Sequence, residues 1–280
     1  MKTQAKIFTA LLVACLASVV SASGGSLSAG YKSVLFIDQA GDLFSWGANN
    51  AGQLGDGTET DRPEPVVPVE NGPWVEVSVS LLPVDGSSDS AHSLAVKADG
   101  TLWAWGDNSR GQLGLGDTEN RNEPNQVGSA DNWKAVAAGR GFSMALNGDG
   151  EIWVWGNNNF GQLGSGVTAD FRRVPLKLAD KDGDSSPDTF IAIAAGADHA
   201  LAIHGAGPTA TFGPIYAWGR NVEGQLGLGH RNSVNGPTLV GSSSVQFSRV
   251  IEAGVHSSFA INSSSRLHAW GQSSFGALGI

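Results

Sequence analysis

The densest set of side chains able to do chemistry lies in residues 180–188, where Asp180, Asp182, Asp184 and Asp188 occupy positions one, three, five and nine. Calcium takes roughly six to eight oxygen ligands from a flexible loop, and alternating carboxylates supply them. Ser185 stands where such a loop commonly turns on glycine, and no Glu follows at position twelve, so a solvated acidic loop is the competing reading. The expectation is calcium or no cofactor. His92 and His199 share one repeat position with Ser33, Phe142 and Ser257, and a place that accepts Phe is a packing place before it is a metal or catalytic one. The stretch 111–116 has the glycines of a phosphate loop without the Lys-Ser/Thr and helix that hold phosphate. No Gly-x-Ser-x-Gly elbow occurs, and no catalytic residue is expected.

These residues hang on a repeat. Tryptophan-glycine recurs five times, as Trp46-Gly47, Trp105-Gly106, Trp155-Gly156, Trp218-Gly219 and Trp270-Gly271. Six residues after each Trp begins Gly-Gln-Leu-Gly or its near copy Gly276-Ala277-Leu278-Gly279. Successive Trp residues lie 59, 50, 63 and 52 apart, which fits a unit of about 50 residues lengthened at loops. The extra residues fall at 81–89, 180–186 and 204–214, and such extensions either carry binding residues or are plain insertions.

Each unit orders its strand signals alike. An apolar stretch runs into Ala-Gly, then come Ser143-Met144-Ala145-Leu146, the turn Asp149-Gly150, and Ile152-Trp153-Val154-Trp155. Asp-Gly between apolar runs is a hairpin signal, because both residues tolerate the backbone angles of a tight turn. Period-two alternation puts Trp103 and Trp105 on one face and Leu102 and Ala104 on the other, so both faces are apolar and must be covered. All nine tryptophans fall in these strands, which makes packing their expected role.

Charge and targeting bound the function. A formal net charge of −9, with no basic cluster longer than Arg172-Arg173, argues against nucleic-acid binding, which needs a basic face. Lys2 and Lys6 precede an uncharged run at 7–20 that ends in Val20-Ser21-Ala22, the pattern of a signal peptide over residues 1–22. The run is short for a bilayer span, so no transmembrane helix is expected in the mature chain, residues 23–280. The expected location is extracellular, periplasmic or cell-surface. Leu12-Val13-Ala14-Cys15 looks like the lipidation box of exported lipoproteins, which leaves a lipid anchor at Cys15 open beside ordinary cleavage after Ala22. On either reading the mature chain has no disulfide, and packing must hold it together.

The string Ala137-Ala138-Gly139, Phe142-Ser143-Met144-Ala145-Leu146, Asp149-Gly150, Trp155-Gly156, Asn158 and Gly161-Gln162-Leu163-Gly164 resembles the repeat of the regulator of chromosome condensation family. The likeness runs from about Leu27 to Ile280. It implies an all-β fold, a β-propeller whose four-stranded blades surround an axis. Five units are recognisable and the fifth stops after its Gly-Ala-Leu-Gly, which implies an incomplete last blade and an open or truncated seven-bladed ring. The founding members are nuclear guanine-nucleotide exchange factors. With a signal sequence in front, this chain is similar instead to secreted, bacterial, alpha-tubulin-suppressor-like members. The expected function is a non-catalytic scaffold that binds an unidentified protein partner through loops 56–62, 117–121 and 167–172. Competing expectations are a secreted inhibitor of an extracellular enzyme, and a hydrolase or lyase with its site in the propeller mouth.

Overall fold

Bulky and small residues alternate along 102–106 and 152–156, which demands extended backbone buried on both faces, and both stretches are strands. The computed structural model describes residues 25–70, 72–81, 91–168, 171–179 and 188–279. Five antiparallel sheets follow one another. Sheet I holds β1 (Ser26–Ala29), β2 (Ser33–Ile37), β3 (Leu43–Gly47) and β4 (Arg62–Val66). Sheet II holds β5 (Trp74–Val79), β6 (His92–Lys97), β7 (Leu102–Gly106) and β8 (Arg121–Gln126). Sheet III holds β9 (Trp133–Ala138), β10 (Phe142–Asn147), β11 (Ile152–Gly156) and β12 (Arg172–Lys177).

In sheet IV, β13 (Phe190–Ala195) and β14 (His199–His204) are followed by a two-residue β15 (Phe212–Gly213) that leaves the sheet, then by β16 (Ile215–Gly219) and β17 (Val234–Leu239). Sheet V contains β18 (Phe247–Ala253), β19 (Ser257–Asn262) and β20 (Leu267–Gly271). Its fourth strand is β15, which pairs Phe212 with Ser248 and Gly213 with Phe247. The extension at 204–214 is therefore a strap from one sheet to the next. Arg249 on β18 clamps it, donating to Pro208 O at 3.0 Å and Ala210 O at 2.7 Å.

The first strands of the successive sheets, β1, β5, β9, β13 and β18, pack side by side, and the sheets radiate from them. Between sheets the contact is apolar: Leu94, Val96, Leu102 and Ala104 of sheet II pack against Ala145 and Trp155 of sheet III. Each seam also carries the same polar lock. The Trp105 indole N–H donates to Gln53 O of sheet I at 2.8 Å, Trp155 to Gln112 O at 2.7 Å, Trp218 to Gln162 O at 2.9 Å and Trp270 to Gln225 O at 2.8 Å. Hydroxyls of Ser93, Ser143 and Ser258 donate to the Gln53, Gln112 and Gln225 carbonyls as well.

The glycine that closes Gly-Gln-Leu-Gly makes room for the indole. Gly114 has φ +74, and a Cβ there would lie 2.9 Å from Trp155 Nε1. Trp105, Trp155 and Trp218 are fully buried, whereas Trp46, which meets no preceding sheet among the described residues, is half-buried.

Trp155→Phe keeps the ring and removes the N–H, and Ser143 still serves the Gln112 carbonyl, so the expected loss is about 1 kcal/mol. Combining it with Ser143→Ala orphans that carbonyl and is expected to cost about 1–3 kcal/mol beyond the sum of the single changes. Urea unfolding of the four chains checks both values.

Candidate protein interaction surface

One asparagine builds the loop after each of the first four Trp-Gly pairs. Asn108 Oδ1 accepts the Leu113 amide at 3.0 Å, and Asn108 Nδ2 donates to Asp117 O at 3.2 Å. Asn49, Asn158 and Asn221 hold the amides of Leu54, Leu163 and Leu226 in the same way. Ion pairs then brace the loop tips, Arg62 with Asp56 at 2.6 Å and Arg121 with Asp117 at 2.6 Å. Glu59, Glu119 and Val167 stand exposed on these tips. Loops of this kind present side chains on fixed backbone, which lowers the ordering cost of binding a partner.

Cys15, Asp180, Asp182 and Asp184 lie outside the described residues. Asp188 is described, and its carboxylate faces His204 Nε2 at 3.2 Å, while the His204 ring packs edge-on to Phe190. The Trp-Gly pairs from the second to the fourth lie at the seams, and their glycines join each inner hairpin to the outer strand. His92 and His199 are buried between sheets, each ring Nε2 lying 2.9 Å from the hydroxyl of Ser143 or Ser258 in the next sheet. Burial pushes both imidazoles down to about 3, so they are neutral near pH 7. Since the Ser143 hydroxyl donates to Gln112, His92 donates its Nε2 proton to Ser143.

At the same end of the sheets, charged side chains cross two seams. Arg140 of sheet III forks onto Asp198 of sheet IV, with Nε donating to Oδ1 at 3.1 Å and Nη2 to Oδ2. Arg220 of sheet IV meets His256 Nδ1 of sheet V at 3.1 Å and donates to Glu223 Oε1 at 3.1 Å. Burial raises Asp198 against the pull of Arg140, and burial followed by the Arg220 charge lowers His256. Sequence reasoning missed this set, because Asp198 and His256 occupy a loop position where other units carry Lys32 or Gly141, Arg140 one where they carry Tyr31 or Ala197, and Arg220 one where they carry Ala48 or Asn157.

The first strands line an open cavity of about 290 Å³ whose walls include Ser28, Glu76, Ser78, Ala137, Ala194 and Glu252. Burial, followed by the charge of Glu252, raises Glu76 to about 7. A carboxyl that titrates near neutrality beside a second one suits general acid-base work. The two wall serines are already engaged, however: Ser28 Oγ accepts the Val79 amide at 3.0 Å and Ser78 Oγ the Ala138 amide at 3.0 Å. The wall is otherwise mostly Ala, Val and Ile with Arg249, which gives a bound substrate little to orient it.

A family model described as the RCC1-like domain matches residues 9–280. The chain belongs to the RCC1-like domain family. The ultraviolet-B receptor UVR8 of Arabidopsis thaliana is 30% identical to it over 258 residues, covering 91% of this chain and 54% of the receptor. The E3 ubiquitin-protein ligase HERC2 of Homo sapiens is 32% identical over 223 residues, 78% of this chain and 4% of the ligase. Of the solved structures, human WBSCR16 superposes with a TM-score of 0.74 at 23% identity, covering 91% of this chain and 64% of that one. Prp20p of Saccharomyces cerevisiae gives 0.66 at 21%, covering 91% and 58%. This RCC1-like chain thus spans less than two thirds of the length of each of these proteins.

Glu76 gives the RCC1-like propeller a dependence on pH. Its folded value is raised above the ordinary value of 4.5, so its favourable contribution is full below 4.5 and is lost as pH rises through about 7. The chain is expected to lose up to about 3 kcal/mol of stability over that window through this group. Glu76→Gln should flatten the profile, as read from urea midpoints at pH 5, 6, 7 and 8.

Proposed function

We propose that the protein is an exported, non-catalytic propeller scaffold that presents preorganised loops to a protein partner. The observation that carries this reading is the division of labour in the repeat. Its recurrent Trp, Gly, Asn and Gln residues serve seams and loop backbones, while Glu59, Glu119 and Val167 on the tips face solvent. Support comes also from a protein of the same fold: Prp20p is described by its binding to Gsp1p and histones. The acidic net charge of −9 favours a protein partner over nucleic acid.

Export rests on Lys2, Lys6, the apolar run 7–20 and Ala22. Mass spectrometry of the protein from its own cells is expected to find an exported form that starts after Ala22, or one lipid-modified at Cys15. A full-length form held in the cytoplasm would contradict export. For the scaffold, we expect chemical crosslinking of the exported chain to capture a defined partner. Substituting Glu59, Glu119 and Val167 together by Ala should abolish that crosslink without changing the thermal melt, and a crosslink of undiminished yield would rule out the loop tips as the contact.

A further inference from the structure

We propose that β12 and the loop residue beside it form a docking patch for an acidic segment of a partner protein, one that sets carboxylates on either side of a bulky apolar side chain. Sheet III is where the repeat departs from its own surface chemistry. The outer strands of sheets I and II read Arg-Pro-Glu-Pro-Val and Arg-Asn-Glu-Pro-Asn-Gln, whereas β12 reads Arg-Arg-Val-Pro-Leu-Lys. Val174 thus stands where those strands carry Glu64 and Glu123, and Arg173 where they carry Pro63 and Asn122. Phe171, Arg172, Arg173 and Val174 are exposed in succession.

The first residue of the strand shows what changes. Arg62 and Arg121 face the glycine after Trp and are half-buried, each closing its own loop through an ion pair, with Asp56 and Asp117 respectively. Arg172 faces Gly156 in the same way, but Val167 stands where sheet II has Asp117. Arg172 is exposed and makes no ion pair among the described residues.

The second residue turns outward as well. In sheets II and IV an asparagine there hooks the neighbouring loop, Asn122 Nδ2 donating to Gly57 O at 2.9 Å and Asn235 Nδ2 to Gly166 O at 2.7 Å. Arg173 keeps only the main-chain half of that contact, its carbonyl accepting the Gly116 amide at 2.9 Å, while its guanidinium lies over the Phe171 ring, 5.1 Å from the centroid. A third cation comes from sheet II. A Cβ on Gly111 would lie 2.8 Å from Arg173 Cα, so Arg110, the residue before that glycine, borders the strand. Arg110 is exposed, and its counterparts are Ala51, Phe160 and Glu223. Asp117, which follows Gly116, is already taken by Arg121 and Asn108.

Three arginines interleaved with Val167, Phe171 and Val174 therefore face solvent on a chain whose formal net charge is −9. Guanidinium groups take carboxylates through paired hydrogen bonds, and arginines beside apolar side chains are the composition of interface centres. Pro175 offers no N–H in the middle of this edge, so side chains, and not strand addition, make the recognition. The acidic charge elsewhere repels the same segment from other faces. The inference deepens the scaffold reading by naming the chemistry that a partner would present to sheet III.

The test is the fluorescence anisotropy of a fluorescein-labelled peptide, Gly-Asp-Glu-Phe-Glu-Leu-Asp-Gly, titrated with the 280-residue chain. Saturable binding is expected, weakened several-fold between about 50 and about 300 mM salt, and at least about tenfold when the peptide's Asp and Glu become Asn and Gln. Changing Arg110, Arg172 and Arg173 together to Gln should weaken it at least about tenfold with an unchanged melt, since Gln retains the stem that packs beside Gly111. Changing Lys134, Arg231 and Arg266, which are exposed elsewhere, to Gln removes the same charge and should leave binding within about threefold. No saturable binding, or equal losses in the two triple variants, would overturn the proposal. So would co-sedimentation with phosphatidylglycerol vesicles that the Arg110, Arg172 and Arg173 variant abolishes, in place of peptide binding, which would give the patch to a lipid surface. That variant leaves Glu59, Glu119 and Val167 in place, so the loop-tip reading and this one fail separately.

Discussion

An indole N–H pointing at a main-chain carbonyl of the sheet before it is the interaction on which this structure depends. At Gln53, Gln112, Gln162 and Gln225 the carbonyl lies in a seam that excludes water and would be costly if left unpaired. The indole fulfils that need while filling the apolar gap with its rings. It can do so only where the neighbouring residue has no side chain, which is why Gly55, Gly114, Gly164 and Gly227 carry positive φ against an indole edge. One bond of this kind is worth about 1 kcal/mol net, but each seam repeats it in register with apolar packing, so sheets that could not stand alone stabilise one another.

That arrangement leaves recognition to what the seams do not use. The loops beyond the repeat glycines are fastened by Asn49, Asn108, Asn158 and Asn221, so their tips can vary without disturbing the core. The ion pairs of Arg140 with Asp198 and of Arg220 with Glu223 sit at the same end of the sheets and add rigidity there more than charge, because each cation has its own anion. Glu76, held beside Glu252 by the inner strands, works against the fold near neutral pH.

Much of this was legible in the residues because the decisive spacings are short. The six-residue step from Trp to Gly-Gln-Leu-Gly and the Asp-Gly turns specify one unit, and the sheets follow it. What could not be read depends on contacts between units. Residues 204–214 look like a plain extension until Phe212 pairs with Ser248 and Arg249 closes over Ala210. Glu76 and Glu252 are far apart in sequence and come together only because the inner strands curve about one axis. Asp188 belongs to an acidic stretch in sequence, but its carboxylate meets His204, whose place the repeat pattern does not mark.

Hydrogen exchange of the indole N–H groups, resolved by NMR in the folded chain, tests the account most directly. The indoles of Trp105, Trp155 and Trp218 should exchange only on global unfolding, with Trp46 exchanging far faster. Exchange of Trp155 as rapid as that of Trp46 would show that its N–H is not locked into the seam, and the account of how these sheets hold together would be wrong.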